Sequence, residues 1–166
     1  MKRPRPVVAL YPGSFDPITR GHEDIVRRGL RVADTIFVAV AHTSTHTKQG
    51  LFSVEERVAL IKGVFADEER IEAVSFSGLL VDFAKERGAH LVIRGLRAVS
   101  DFEYELQMAQ MNQELWGEVE TIFLVPEVQN SFISSSLVRE VAKLGGDVSS
   151  FVSPSVFEQL RLKLAE

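Results

Sequence analysis

The sequence predicts an α/β fold, a single Rossmann-like domain with a five-stranded parallel sheet and helices on both faces. Short apolar runs rich in β-branched residues alternate with longer segments whose apolar residues recur at helical spacing. No repeat, low-complexity segment or linker interrupts this order. The chain has 166 residues, 45% of them apolar, which suits one domain with one substantial core. We therefore expect residues 1–166 to form one α/β domain.

Five runs have the composition of buried parallel strands, which are apolar and rich in valine and isoleucine. They are residues 7–11, 35–41, 71–76, 91–93 and 121–125. Pro12 and Gly13 are expected to end the first strand sharply, and Pro126 to break the fifth. In such a sheet ligands bind at the carboxyl ends of the strands, so the residues that follow these runs are the candidates for a site.

The first helix is expected to carry His22 in or near its first turn. Pro17 and Gly21 limit how far that helix extends backwards, and it should run to about Val32. Unpaired backbone N–H groups and the helix dipole favour negative charge at such a position. The pattern therefore predicts a phosphate site at His22, although a capping or solvated histidine would fit the same position.

Capping signals mark the other helices. Ser53 and Glu56 form a capping-box pattern that opens the second helix, and Ser100 and Glu103 form another that opens the longest one, to about residue 116. The remaining helices are expected at 79–87, closed by Gly88, from Ser134 to about residue 145, and from Pro154 onward.

Composition narrows the class of protein. The 19 basic and 23 acidic side chains give a net charge of −4, which argues against a nucleic-acid partner. The absence of cysteine excludes disulfides, thiolate metal sites and cysteine nucleophiles. The apolar run behind the basic start is too short for a signal peptide, and no later run is long enough to span a membrane. We expect a soluble, cytoplasmic protein without a membrane partner.

Three cations follow predicted strands and should meet at one edge of the sheet. Lys48 follows the second strand, and Arg94 and Arg97 follow the fourth, with Gly95 between them to let a ligand approach. Guanidinium groups suit phosphate oxygens. Each cation alone could be a solvated surface charge, but convergence in an acidic protein favours a small anionic ligand.

A second anion site is predicted at the sequence ISSSLVR, residues 133–139. Three serines at a helix start supply hydroxyls and free backbone N–H groups, whereas an ordinary N-cap needs only one. An over-provided cap is the alternative. By contrast, His42 and His46 lie four residues apart in a Ser/Thr-rich loop without a nearby acidic ligand, so a metal pair there is disfavoured.

Two short motifs resemble the signatures of the nucleotidyltransferase superfamily. TRGH at residues 19–22 is similar to (H/T)xGH, and ISSSLVR is similar to ISSTxxR with Ser136 in place of threonine. Longer stretches, YPGSFDPITRGH at 11–22, IRGLRAVSDFEYE at 93–105 and SFISSSLV at 131–138, resemble the bacterial phosphopantetheine adenylyltransferase family over nearly the whole chain. The 94–105 stretch separates that family from nicotinamide mononucleotide adenylyltransferases and cytidylyltransferases.

The resemblance implies transfer of AMP from ATP to 4′-phosphopantetheine, which gives dephospho-coenzyme A and pyrophosphate, with Mg²⁺ carried by the ATP phosphates and no metal ligand from the protein. It implies a homohexamer of two trimers and coenzyme A as a candidate feedback ligand. It makes His22 the transition-state stabiliser. By the same likeness, the ATP contacts are Ser14, Phe15, His22, Gly95, Leu96, Arg97, Glu105, Asn130, Ser131, Phe132, Ile133, Ser134, Ser135 and Ser136. The phosphopantetheine contacts are Ser14, Lys48, Leu80 and Arg94.

The chain departs from the family pattern at three places. Ser14 stands where threonine is common, and Leu80 where methionine is frequent; the hydroxyl and the apolar wall are both kept. The loop at 42–50 is about two residues longer than usual, so Lys48 is located by counting back from Phe52. Two other functions fit the same sequence, a related nucleotidyltransferase with another phosphate acceptor and a non-catalytic adenine-nucleotide sensor.

Overall fold

Five parallel strands form one sheet in the computed structural model, which describes residues 5–42 and 50–165. The strands are β1 (Val8–Gly13), β2 (Thr35–Ala41), β3 (Ile71–Phe76), β4 (Leu91–Gly95) and β5 (Glu120–Leu124). Their order across the sheet is β3-β2-β1-β4-β5, and every pairing is parallel. The predicted parallel sheet is confirmed.

Six α-helices accompany the sheet within residues 5–42 and 50–165. They are α1 (Arg20–Gly29), α2 (Val54–Val64), α3 (Leu80–Arg87), α4 (Val99–Leu115), α5 (Ser135–Lys143) and α6 (Pro154–Ala165), with one 3-10 turn at Val128–Asn130. Within the described ranges, none of these helices is both long and apolar enough to cross a membrane.

The helices pack on both faces of the sheet, as predicted. The larger core combines Ala9 of β1 with Ile25 of α1, Ile61 of α2 and Val138 of α5, and it extends to α6. The opposite face buries Leu10 of β1 against α3 and the end of α4. Successive residues of a strand point to opposite faces, so Ala9 and Leu10 belong to different cores.

The strand order changes direction at the neighbouring strands β1 and β4. The first three strands step from β1 to β3 on one side, and β4 and β5 continue on the other. A crevice forms at the carboxyl ends of the two strands that flank such a switch point. In this chain those ends are Gly13 of β1 and Gly95 of β4.

Three strands have boundaries that differ from the prediction. β1 continues through Pro12 and Gly13, which pair with Ala39 and Val40 of β2. On the side of β4 only Ala9 and Leu10 are paired, so the missing N–H of Pro12 costs no hydrogen bond there. Strand β4 also continues to Gly95, and β5 covers Glu120–Leu124 rather than 121–125.

Helix ends show one wrong prediction and two shortened helices. The capping box at Ser100 and Glu103 is wrong, because α4 begins at Val99 with Ala98 as its N-cap and no side-chain cap. The Asp101 N–H donates to the Ala98 carbonyl at 3.1 Å, which closes the first turn two residues earlier than that box requires. Helix α1 ends at Gly29 instead of Val32, and α5 ends at Lys143 rather than near residue 145.

Candidate active site

A cavity of about 630 Å³ lies at the carboxyl ends of β1 and β4. Its walls come from the end of β1, the start of α1, the end of β4 and the start of α5, which are distant in sequence. Twelve of the predicted site residues line it. They are Ser14, Phe15, His22, Arg94, Gly95, Arg97, Glu105, Asn130, Ile133, Ser134, Ser135 and Ser136.

His22 is fixed by a capping box at the start of α1. Thr19 is the N-cap residue, and its hydroxyl accepts from the His22 backbone N–H at 3.5 Å. In return, the Thr19 backbone N–H donates to Nδ1 of His22 at 3.0 Å. Because Nδ1 is an acceptor, the neutral ring carries its proton on Nε2. The ring is therefore both a cap and an oriented donor, so the two roles considered from the sequence are compatible.

His22 is neutral at physiological pH. Burial lowers its pKa to about 4, and the nearby positive charges of Arg97 and Arg94 act in the same direction. A neutral imidazole with Nε2–H can donate a hydrogen bond to a phosphate oxygen without a change in its own charge. The site thus contains a preorganised neutral donor where α1 meets the cavity.

Arg94 is held by a two-pronged ion pair with Glu105 of α4. Nε and Nη2 of Arg94 donate to the two carboxylate oxygens at 2.8 and 2.6 Å. Nη1 donates to the Pro12 carbonyl at 2.7 Å. Parallel hydrogen bonds of this kind fix the plane of a guanidinium. Glu105, expected as an ATP contact, thus orients the arginine expected to bind the acceptor.

Arg97 connects the end of β4 to the loop before α5. Its Nη1 donates to the Ile133 carbonyl at 3.1 Å, and its Nε lies 3.6 Å from a carboxylate oxygen of Asp101. The side chain keeps 43% of its surface exposed. Arg97 can therefore still bind an anion in the cavity.

The three serines at the start of α5 have three different partners. The Ser134 hydroxyl accepts from the Leu137 N–H at 3.1 Å and is the cap. The Ser135 hydroxyl donates to the Pro17 carbonyl at 2.7 Å, and the Ser136 hydroxyl accepts from Arg139 at 3.3 Å. Within the described ranges, the backbone N–H groups of Ser135 and Ser136 donate to no protein group. Only Ser134 is therefore the cap, and two backbone N–H groups at this helix start remain for an anion.

A buried charge cluster was missed from the sequence. Asp16 is 5% exposed, and its carboxylate accepts from the N–H groups of Leu51 and Phe52 at 2.9 Å each. Arg57 and Arg139 lie 3.5 and 3.7 Å from the same carboxylate. The cluster ties the loop after β1 to the segment before α2 and to α5. Only Arg139, as the last residue of the ISSSLVR motif, gave any signal in the sequence.

Comparisons with known proteins match this chain to a family model and to individual relatives. A family model described as cytidylyltransferase-like matches residues 10–141. Curated relatives named phosphopantetheine adenylyltransferase match almost the whole chain. The Methylobacillus flagellatus protein is 56% identical over 156 residues, 94% of this chain and 96% of that protein. The Nitrosomonas eutropha protein is 55% identical over 157 residues (95% and 94%), and the Thiobacillus denitrificans protein is 52% identical over 160 residues (96% and 99%).

This chain belongs to the phosphopantetheine adenylyltransferase family. The adenylyltransferase family resemblance inferred from the sequence is confirmed, and so is the nucleotidyltransferase fold.

Several residues expected to bind substrates in this adenylyltransferase family member lie elsewhere. Leu80, at the start of α3, packs against the core of the α3 face and does not line the cavity. Leu96, Ser131 and Phe132 are also outside the lining, and Phe132 is 57% exposed. Lys48 and His46 lie outside the described residues. Their assignments stay predictions.

Proposed function

We propose that this chain transfers the adenylyl group of ATP to 4′-phosphopantetheine and releases pyrophosphate, with dephospho-coenzyme A as the second product. The observation that carries the proposal is the single cavity that joins the start of α1, the Arg94–Arg97 segment and the start of α5. These are the three stretches that carry the family motifs. Relatives that are 52–56% identical bear the name of this activity.

The reaction needs no covalent intermediate. An oxygen of the acceptor phosphate attacks the α-phosphorus of ATP, the bond between the α-phosphorus and the bridging oxygen breaks, and the electron pair leaves with pyrophosphate. Positioning and stabilisation of charge then account for catalysis. A cavity lined by arginines, a neutral histidine and unpaired backbone N–H groups has the chemistry for both.

His22 is assigned to the reacting centre. Its Nε2–H can donate to an α-phosphate or bridging oxygen, where charge increases during attack. The Thr19 N–H on Nδ1 keeps the ring from rotating and fixes the tautomer. We infer that His22 binds the transition state more strongly than the ground state.

The acceptor phosphate and the β- and γ-phosphates of ATP are assigned to different groups of the cavity. Arg94, oriented by Glu105, is assigned to the acceptor phosphate together with Lys48. Arg97 and the N–H groups of Ser135 and Ser136 are assigned to the β- and γ-phosphates of ATP, which lie on the leaving side.

Magnesium is proposed to enter with ATP rather than on protein ligands. The cavity carboxylates of Asp16, Asp101 and Glu105 are each paired with an arginine. No group of three or more potential ligands occurs among residues 5–42 and 50–165. Mg²⁺ retains water and is commonly bound through substrate phosphates, where it neutralises charge. Activity is expected to require Mg²⁺ and to be lost on addition of a chelator.

A hexamer is proposed because the family resemblance implies one, and an exposed apolar surface of α4 supports self-association. Phe102, Met108, Met111 and Leu115 are 39–56% exposed in the isolated chain. Burial of such side chains in a protein interface is favourable. Sedimentation equilibrium is expected to give six times the mass of 18.5 kDa.

A cytoplasmic location and feedback by coenzyme A are proposed as well, because the reaction consumes ATP and its product is a coenzyme A precursor.

The decisive experiment measures pyrophosphate release from ATP with a panel of acceptors. Phosphopantetheine is expected to support release and to yield dephospho-coenzyme A in a reversible reaction. Pyrophosphate release from ATP with nicotinamide mononucleotide as the one active acceptor would favour a related nucleotidyltransferase with another acceptor. ATP binding without release for any acceptor would favour the sensor. Arg94, which a sensor would not need for an acceptor phosphate, makes the transferase the better supported function.

A further inference from the structure

Tyr11 lies between His22 and the end of β4. It is 5% exposed, yet it lines the cavity. The centroid of its ring lies 5.5 Å from that of Phe15 and 6.3 Å from that of His22. Its hydroxyl oxygen would lie 3.9 Å from a Cβ atom built on Gly95. The phenol therefore has its ring fixed by aromatic neighbours and its hydroxyl near the glycine between the two arginines.

The hydroxyl of Tyr11 has no hydrogen-bond partner within the part of the chain that the structure describes. Among the described residues, the only fully buried side-chain oxygen or nitrogen without a partner is Oε1 of Glu23, so the Tyr11 oxygen is open to the cavity and not sealed in the core. A tyrosine at such a border usually places its hydroxyl where it can bind a partner. Since the residue borders the cavity, the missing partner is best supplied by a ligand.

The phenol is a donor at neutral pH. Burial raises the pKa of Tyr11 well above its usual value, although the positive charges of Arg94 and Arg97 act in the opposite direction. The hydroxyl thus retains its proton and can donate to an anionic or neutral oxygen of a ligand.

We propose that the Tyr11 hydroxyl donates a hydrogen bond to an oxygen of bound ATP and is a further ATP-positioning residue. The position in the sheet favours ATP over the acceptor. Tyr11 packs with Ile25 and the other α1-side residues, whereas Arg94, assigned to the acceptor phosphate, is bound to Glu105 of α4 on the other side. This inference rests on the proposed function and adds a substrate contact to it.

Tyr11→Phe is the direct test, because it removes one oxygen and keeps the ring. Loss of one neutral hydrogen bond should lower kcat/KM for ATP about tenfold. KM for phosphopantetheine should stay within twofold of wild type, and Tm should not fall. Calorimetry with Mg·ATP in the absence of acceptor should show a matching loss of affinity. Ser75→Ala, which removes an exposed hydroxyl from β3 away from the cavity, is the control.

Two results would overturn the inference. One is ATP affinity and kcat/KM for ATP within twofold of wild type in Tyr11→Phe. The other is an equal loss for both substrates together with a lower Tm, which would make Tyr11 a packing residue. A wild-type enzyme that releases no pyrophosphate would instead refute the proposed function, and the ATP titration would still test Tyr11.

Discussion

The two sides of the cavity present different chemistry to negative charge. On the α1 side, His22 is a neutral donor oriented by a backbone N–H on its Nδ1. On the α4 side, Arg94 is a permanent charge oriented by both oxygens of Glu105. Both groups are preorganised, but only one carries a formal charge.

The difference matches what each side would have to do. A charged guanidinium attracts a phosphate equally before and during the reaction, so it contributes mainly to binding. A neutral donor placed where charge develops contributes more to the transition state than to the ground state. We therefore expect substitutions on the α4 side to change stability and acceptor binding, and substitutions on the α1 side to change kcat.

The largest effect is expected from Arg94→Ala. The substitution leaves the Glu105 carboxylate, whose side chain is only 11% exposed, without its partner. Breaking such a pair should lower the free energy of unfolding by about 3 kcal/mol. It should also lower kcat/KM for phosphopantetheine by roughly 10³-fold, since the acceptor loses its charged ligand. Urea denaturation and steady-state kinetics measure the two effects separately.

The double variant Arg94→Ala with Glu105→Ala separates the effect on stability from the effect on acceptor kinetics. Removing both partners eliminates the unpaired carboxylate, so stability should recover by a large part of the loss while acceptor kinetics stay impaired. Recovery of kinetics together with stability would show that Arg94 serves only the fold.

The next largest effect is expected on the α1 side. His22→Ala should lower kcat by about 10² to 10³-fold, with a smaller change in ATP affinity. It also removes one half of the capping box with Thr19, so Tm should fall modestly.

His22→Gln separates the two roles of this residue. Glutamine at the third helical position can accept from the Thr19 N–H and restore the cap, but it does not place a donor where Nε2–H lies. We expect Tm to return towards wild type and kcat to stay low. A normal kcat in either variant would reduce His22 to a capping residue.

A smaller effect is expected from Lys48→Ala, which tests the cation that lies outside the described residues. Affinity for phosphopantetheine should fall about tenfold, as one charge-assisted contact is lost, while ATP affinity stays close to normal. Calorimetry with each ligand decides it. Unchanged phosphopantetheine affinity would mean that another cation serves the acceptor and that Lys48 was misplaced in the lengthened loop.

The smallest effect concerns stability as a function of pH. The pKa of His22 is about 4 in the folded chain, below the ordinary value of 6.5, so only the unfolded chain takes up that proton between these values. Its contribution therefore lowers the free energy of unfolding as pH falls from about 6.5 towards 4, and is constant above 6.5. In urea denaturation, wild type should lose more stability over this range than His22→Gln. Parallel curves would contradict the buried neutral state.

The sequence predicts the strands and most helix starts because these depend on local patterns. Ser53 and Ser134 are caps as expected, since the side chain and the N–H groups that it satisfies lie within three residues. The predicted start of α4 is wrong because the Asp101 N–H donates to the Ala98 carbonyl, so the helix begins before Ser100. Local sequence patterns therefore indicate candidate helix starts, and the backbone hydrogen bonds of the folded chain determine which of them is used.

The site is predicted only in outline for a related reason. Parallel topology places Arg94 and His22 at the same edge, and both line the cavity. The pairing of Arg94 with Glu105 and of Asp16 with Arg57 and Arg139 depends on contacts between distant elements, which no spacing reveals. Gly50 is a further position whose constraint cannot be predicted from the sequence. A Cβ there would lie 1.9 Å from the Arg57 guanidinium, a constraint that exists only in the folded chain.

Nitrogen NMR of the His22 ring is the direct test of whether this side chain is a preorganised neutral donor. Long-range ¹H–¹⁵N spectra of protein labelled at histidine, with His22→Gln to assign the signal, report both tautomer and pKa. We predict a neutral ring protonated on Nε2 at pH 7, with no titration until the pH approaches 4. A ring that titrates near 6.5, or one protonated on Nδ1 at pH 7, would contradict it.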